Sequence, residues 1–123
     1  MRVIVAGSRM FDDYVLLKRT MDKIFAHIKR SKTDTSIKVI SGGAKGADKL
    51  GEQWAYDNMI SYQVFRADWT KHGKVAGPIR NQEMIDGGKA DALVAFWNGK
   101  SPGTKDMIRR ARKHKLKVKI VRF

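Results

Sequence analysis

Several short segments carry residue types suited to holding an anion. Gly7-Ser8-Arg9 sets a hydroxyl and a guanidinium beside a glycine, and a guanidinium clamps phosphate through two parallel hydrogen bonds. Ser41-Gly42-Gly43-Ala44-Lys45-Gly46-Ala47-Asp48 is a second such segment. Its glycines let backbone N–H groups approach an anion, and the helix behind adds partial positive charge. Ser41 can donate a hydroxyl and Lys45 a point charge. Asp48, one turn into that helix, can cap backbone donors or accept from a ribose hydroxyl. Gly77-Pro78-Ile79-Arg80-Asn81-Gln82-Glu83-Met84 sets Arg80 and Asn81 in the first turn of another helix. Asn98-Gly99-Lys100-Ser101-Pro102-Gly103-Thr104 again brings hydroxyls and free N–H groups to a helix start.

Each segment also has a plainer explanation. The glycines of residues 42–46 suit any tight strand-to-helix turn, and Arg80 can be a surface arginine. Two familiar phosphate loops are absent. A Walker A loop ends in Gly-Lys-Ser/Thr, whereas here Lys45 precedes Gly46 and Ala47 stands where the hydroxyl belongs. The three spaced glycines of a dinucleotide fingerprint are also missing. Trp69 and Trp97, just past strand ends, can stack on a base or pack under a loop, and Trp54 belongs to the core. His27, His72 and His114 are scattered. No metal site and no required cofactor are expected.

The elements that must position these residues alternate in type. Val3 to Ala6 is an apolar strand. Tyr14, Leu17, Met21, Ile24, Phe25 and Ile28 recur at helical spacing, with Asp12 or Asp13 to cap the start. Ser31 to Ser36 reads as a polar loop and Ile37 to Ile40 as a second strand. Ala47 to Asn58 is a helix with Leu50, Trp54 and Ala55 on one face, Tyr62 to Phe65 a third strand, and Asp68 to Ala76 a longer polar loop. Pro78 suits the first turn of a helix ending near Gly87-Gly88. Ala92 to Phe96 is a fourth strand, and Pro102 or Thr104 opens a helix to about His114. In Leu116 to Val121 the apolar residues alternate with Lys115, Lys117 and Lys119, the pattern of a strand at a sheet edge. Such alternation predicts an α/β fold: one domain over residues 1–123, about five parallel strands, helices on both faces. Ligands of such sheets sit beyond the carboxyl ends of the strands, where the glycine segments fall.

Composition narrows the function. The 123 residues suit a single domain, and 42% of them are hydrophobic, which argues against disorder. With no cysteine there is no disulfide scaffold, thiolate metal site or cysteine nucleophile. The opening apolar run is too short for a signal peptide or a membrane span, so a cytoplasmic chain with no membrane partner is expected. The net charge is +14, with Lys+Arg at 26 and the densest stretch from Arg109 to Lys119. That balance attracts polyanions at long range, although a solvated basic surface is the simpler account. Met10, Phe11 and Met59, near element ends, are apolar residues available to a homo-oligomer interface.

Taken in order, Gly7-Ser8-Arg9, Ser41 to Asp48, Gly77 to Met84 and Ser101-Pro102-Gly103-Thr104 resemble the YspA-like branch of the SLOG superfamily, across essentially the whole chain. The resemblance implies a Rossmann-like fold and a site for nucleotides or nucleotide-derived signals. Its members are thought to act as ligand sensors in conflict systems, and stand-alone copies occur in phages and bacteria. A phage-encoded copy would act in the host cytoplasm. Two cousins suggest alternatives. Arg80-Asn81-Gln82-Glu83-Met84 is similar to the Arg-Lys-x-x-Met segment of the Lonely-guy phosphoribohydrolases, which cleave the base from nucleoside monophosphates. In their Pro-Gly-Gly-x-Gly-Thr-x-x-Glu segment the catalytic glutamate falls where this chain has Met107, and Asp106, one position early, is expected to point elsewhere. The DNA-processing protein DprA has a similar Gly-Ser-Arg start and binds single-stranded DNA.

The favoured expectation is a sensor or sequestering protein for a phosphate- and ribose-bearing small molecule. It would be held by Gly7, Ser8, Arg9, Ser41, Gly42, Gly43, Ala44, Lys45, Gly46, Asp48, Arg80, Asn81, Ser101, Gly103 and Thr104. The alternatives are a nucleotide N-glycosidic hydrolase using Arg80 with Asp48, Glu83 or Asp106, and a nucleic-acid binder using the basic face.

Overall fold

The computed structural model describes residues 1–30 and 37–123; the loop expected at Ser31 to Ser36 lies outside them. The strands are β1 (Arg2–Gly7), β2 (Lys38–Ser41), β3 (Tyr62–Val64), β4 (Ala92–Trp97) and β5 (Lys117–Arg122). All pairings are parallel, and the sheet order is β3-β2-β1-β4-β5. Between the strands run α1 (Tyr14–Arg30), α2 (Ala47–Asp57), α3 (Trp69–His72), α4 (Ala76–Asp86) and α5 (Pro102–Lys113), with a 3-10 turn at Gly73–Val75.

The central strand, β1, explains the apolar run at the start of the chain. Val3 pairs with Val39 on one side and Ala92 on the other. Successive side chains alternate between faces. Val3 and Val5 join a core with Leu17, Met21, Trp54 and Ala55 from α1 and α2. Ile4 and Ala6 join one with Met84 and Ile85 from α4 and Met107, Ile108 and Ala111 from α5. A strand buried on both faces has no polar side to show. The fold is α/β and Rossmann-like: one five-stranded sheet between two helical layers.

Local chemistry sets the element ends. Asp13, not Asp12, caps α1, its Oδ1 accepting from Leu16 N at 2.9 Å. The buried Trp54 indole donates to Asp22 at 2.9 Å, so the largest core side chain leaves no donor unpaired.

Four expectations need correction. The stretch Asp68 to Ala76 is not a plain loop: Asp68 Oδ1 accepts from Lys71 N at 3.0 Å and caps α3. Arg80 and Asn81 stand in the second turn of α4, because that helix already begins at Ala76. Strand β5 begins at Lys117, because Lys115 has φ 61° and belongs to the preceding turn. Phe11 is unavailable to an interface, being buried with its ring 4.8 Å from that of Phe96.

Candidate functional site

The chain runs from β1 outward to β3, then returns to add β4 on the other side of β1. Loops leaving β1 and β4 therefore diverge to opposite faces of the sheet, and the gap between them is where ligands of open α/β sheets bind. A cleft of about 800 Å³ opens there, within the size range of small-molecule sites. Its walls are the loop after β1 (Gly7 to Met10), the loop before α5 (Asn98 to Thr104), one face of α4 (Gly77, Pro78, Arg80, Asn81, Met84), and Ala44, Asp48, Trp69, Lys74, Asp106 and Met107.

The floor is built from hydrogen bonds that hold the loops together. Gly46 lets the loop after β2 lie against the loop after β1. It has φ +79°, and a Cβ there would stand 2.3 Å from the Ser8 carbonyl oxygen. Asp48 Oδ2 accepts from Ala44 N at 3.2 Å. Burial pushes the Asp48 carboxyl up to about 6, opposed by the N–H groups of Ala44 and Gly7 and by the nearby Arg80 charge. Arg80 Nη1 donates to the Gly42 carbonyl at 2.6 Å, and its Nε donates to Asn81 Oδ1 at 3.1 Å. Asn81 Nδ2 donates to Asp106 Oδ2 at 2.9 Å and to the Gly103 carbonyl at 3.3 Å, joining α4 to α5.

The opposite wall is the start of α5. Asn98 Oδ1 accepts from Lys100 N and Ser101 N, each at 2.9 Å, which shapes the loop. The Ser101 and Thr104 hydroxyls lie 3.2 Å apart. The first N–H groups of a helix lack intrahelical partners. Those of Gly103 and Thr104 make no hydrogen bond to another described residue. The cations lining the cleft are Arg9, Lys74, Arg80 and Lys100. Its acids are Asp48, whose Oδ2 is engaged by Ala44 N, and Asp106, engaged by Asn81, Arg109 and Arg110. Those donors hold the Asp106 carboxyl below the usual range, against the opposing effect of burial.

The expected residues divide into liners and braces. Gly7, Ser8, Arg9, Ala44, Asp48, Arg80, Asn81, Ser101, Gly103 and Thr104 line the cleft. Ser41, Gly42, Gly43, Lys45 and Gly46 do not. Ser41 is fully buried and donates to Glu52 Oε2 at 2.6 Å. Gly43 faces β3, where a Cβ would meet Val64 and Arg66. Among the acids, Glu83 is exposed and lines a different groove, beside Phe65 and Asp86. Asp106 does reach the cleft, contrary to expectation. Trp97 is committed to packing: its Nε1 donates to the Ser101 carbonyl at 3.1 Å and its ring lies 4.9 Å from Arg122 Cζ.

A family model described as "YspA, cpYpsA-related SLOG family" matches residues 1–72. The chain belongs to this SLOG family. It is also similar to the Gene 61 protein of Mycobacterium phage D29, 37% identical over 117 residues that cover 91% of this chain and 89% of that protein. No solved structure matches it. In this SLOG-family chain the cleft is also lined by Lys100 of the Asn98 to Thr104 segment, by Met10, expected at an interface, and by Lys74, which no sequence signal marks. Lys74 had no motif around it, and only the helical turns after β3 bring it to the site. No helix among the described residues is long and apolar enough to cross a membrane.

Proposed function

We propose that the chain binds a nucleotide or nucleotide-derived, phosphate-bearing small molecule in the cleft between the ends of β1 and β4, as a sensor or sequestering protein. One observation carries this reading: the open N–H groups of Gly103 and Thr104 share the cleft with Arg9, Lys74, Arg80 and Lys100. Arg9, Lys74 and Lys100 make no ion pair among the described residues. Helix N-termini and unpaired cations together favour an oxyanion such as phosphate. Membership of the SLOG family supports the same ligand class. Native mass spectrometry of protein purified from cells tests it: a co-purified species carrying phosphate is expected. A purely apo mass, with no calorimetric heat from nucleoside mono- or diphosphates, rules it out.

A second reading, cleavage of the N-glycosidic bond, is favoured by Asp106, a carboxylate that lines the cleft. An ionised carboxylate can stabilise positive charge developing on a ribose. Against it, three side chains already donate to that carboxylate, which weakens it as a base or nucleophile. Incubation with nucleoside monophosphates and chromatography for free base separates the two. Turnover abolished by Asp106→Asn establishes the hydrolase; intact nucleotide with measurable binding establishes the sensor.

A further inference from the structure

The mouth of the cleft carries apolar surface that the core does not use. Trp69, the first residue of α3, is 49% exposed, and Met10 is 81% exposed. Both line the cleft. The other tryptophans are committed, Trp54 inside the core with its N–H on Asp22 and Trp97 bonded to the Ser101 carbonyl. The Trp69 indole N–H has no hydrogen-bond partner among the described residues. Its ring rests on Gly77, where an added Cβ would stand 3.4 Å from it. On the cleft side Arg9 Cζ lies 5.9 Å from the ring centroid.

We propose that the space between the Trp69 indole and the Arg9-Met10 segment is a slot for a planar nitrogen heterocycle, the base of a nucleotide whose phosphate lies at the start of α5. The proposal rests on the phosphate reading of the same cleft. Stacked planes sit at a contact distance of about 3.5 Å, so a ring held between two of them needs roughly 7 Å. The 5.9 Å separation falls about 1 Å short of that. Arg9 is exposed and makes no ion pair among the described residues; its cation–π contact with Trp69 is what an inserted ring would replace as the side chain shifts by that much. Guanidinium is planar and stacks on aromatic faces, and the Met10 thioether is a polarisable neighbour for a ring. Every base has a π-face, so the slot selects nucleotides over sugar phosphates and discriminates weakly among bases.

Calorimetry with adenosine 5′-monophosphate and ribose 5-phosphate tests this. The wild type is expected to bind the nucleotide at least about tenfold more tightly than the sugar phosphate. Trp69→Ala should bring the nucleotide down to the affinity of the sugar phosphate and leave the sugar phosphate unchanged, which also reports that the variant is folded. Trp69→Phe should keep most of the preference. Equal affinities in the wild type, unaltered by Trp69→Ala, overturn the slot while the phosphate site stands. If the wild type binds neither compound, the slot and the phosphate site fall together.

Discussion

The Arg80 guanidinium donates to the Gly42 carbonyl at 2.6 Å, tying α4 to the loop after β2 across the floor of the cleft. Hydrogen bonds from charged donors contribute about 1.5–3 kcal/mol, and a lysine cannot reproduce the two-donor fork that also reaches Asn81. Arg80→Ala is expected to lower stability by roughly that amount in urea unfolding and to abolish ligand binding in calorimetry. Destabilisation with unchanged affinity would make Arg80 a brace and nothing more.

Gly103→Ala separates the fold from the site. A Cβ at residue 103 meets nothing within 4 Å, so stability should stay within about 0.5 kcal/mol. The added methyl would crowd the N–H groups at the start of α5. Binding of a phosphate-bearing ligand is expected to weaken tenfold or more. Full affinity in this variant would move the anion away from α5.

Asp48 predicts a pH dependence of unusual sign for a carboxylate. Its pKa rises from 3.8 to about 6 in the folded protein, so between those values the native state holds a proton that the unfolded chain has lost. The stability tied to this group is greatest below about pH 4, falls as pH rises to about 6, and is flat above. At 1.36 kcal/mol per pH unit the drop amounts to ~3 kcal/mol. Asp48→Asn removes the titration but keeps an acceptor for Ala44 N. The stability of the wild type relative to this variant should therefore decline from pH 4 to pH 7 in urea titrations. A flat or rising difference would show that Asp48 is ionised throughout.

Lys117 and Lys119 lie exposed on edge strand β5 and do not line the cleft. Replacing both with glutamine should leave ligand affinity nearly unchanged at physiological salt, where exposed charges are screened beyond about 8 Å. Binding of a random single-stranded oligonucleotide should be weak and fall steeply with salt. Nanomolar oligonucleotide binding lost in the double variant would instead make the basic face the functional one.

Much of this architecture was legible because its signals are local. The run from Val3 to Ala6 reads as a strand buried on both sides, and the lysines alternating after Leu116 read as an edge, as the sheet order has them. Gly7, Gly43, Arg80 and Gly103 are expected at one cleft because parallel connections send every strand's carboxyl end to the same side; Gly7, Arg80 and Gly103 line it and Gly43 does not. What escaped depends on contacts between distant segments. Nothing in Ser41-Gly42-Gly43 says that the hydroxyl turns inward to Glu52 and not outward to a ligand. Residues 68 to 76 carry no hydrophobic period, so Lys74 reaches the cleft through turns too short to leave a pattern, and the sequence leaves Trp69 open to stacking or to packing. Asp106 and Met107 both line the cleft, a sharing that spacing on α5 alone does not reveal.

Because β1 lies at the centre of the sheet, it pairs early with β2 but only much later in the chain with its other neighbour, β4. Val3 meets Val39 early, but its pairing with Ala92 spans most of the chain. Until β4 docks, Ile4 and Ala6 lack Leu93 and Ala95 beside them, and one wall of the cleft does not exist. Non-local parallel pairing is slow because loop-closure entropy is lost before contacts form. A ligand that spans the loops after β1 and β4 would therefore engage only a sheet in which β4 has docked. Such a ligand would stabilise that state as its concentration exceeds the dissociation constant, so occupancy of the cleft would report that β1 and β4 have paired.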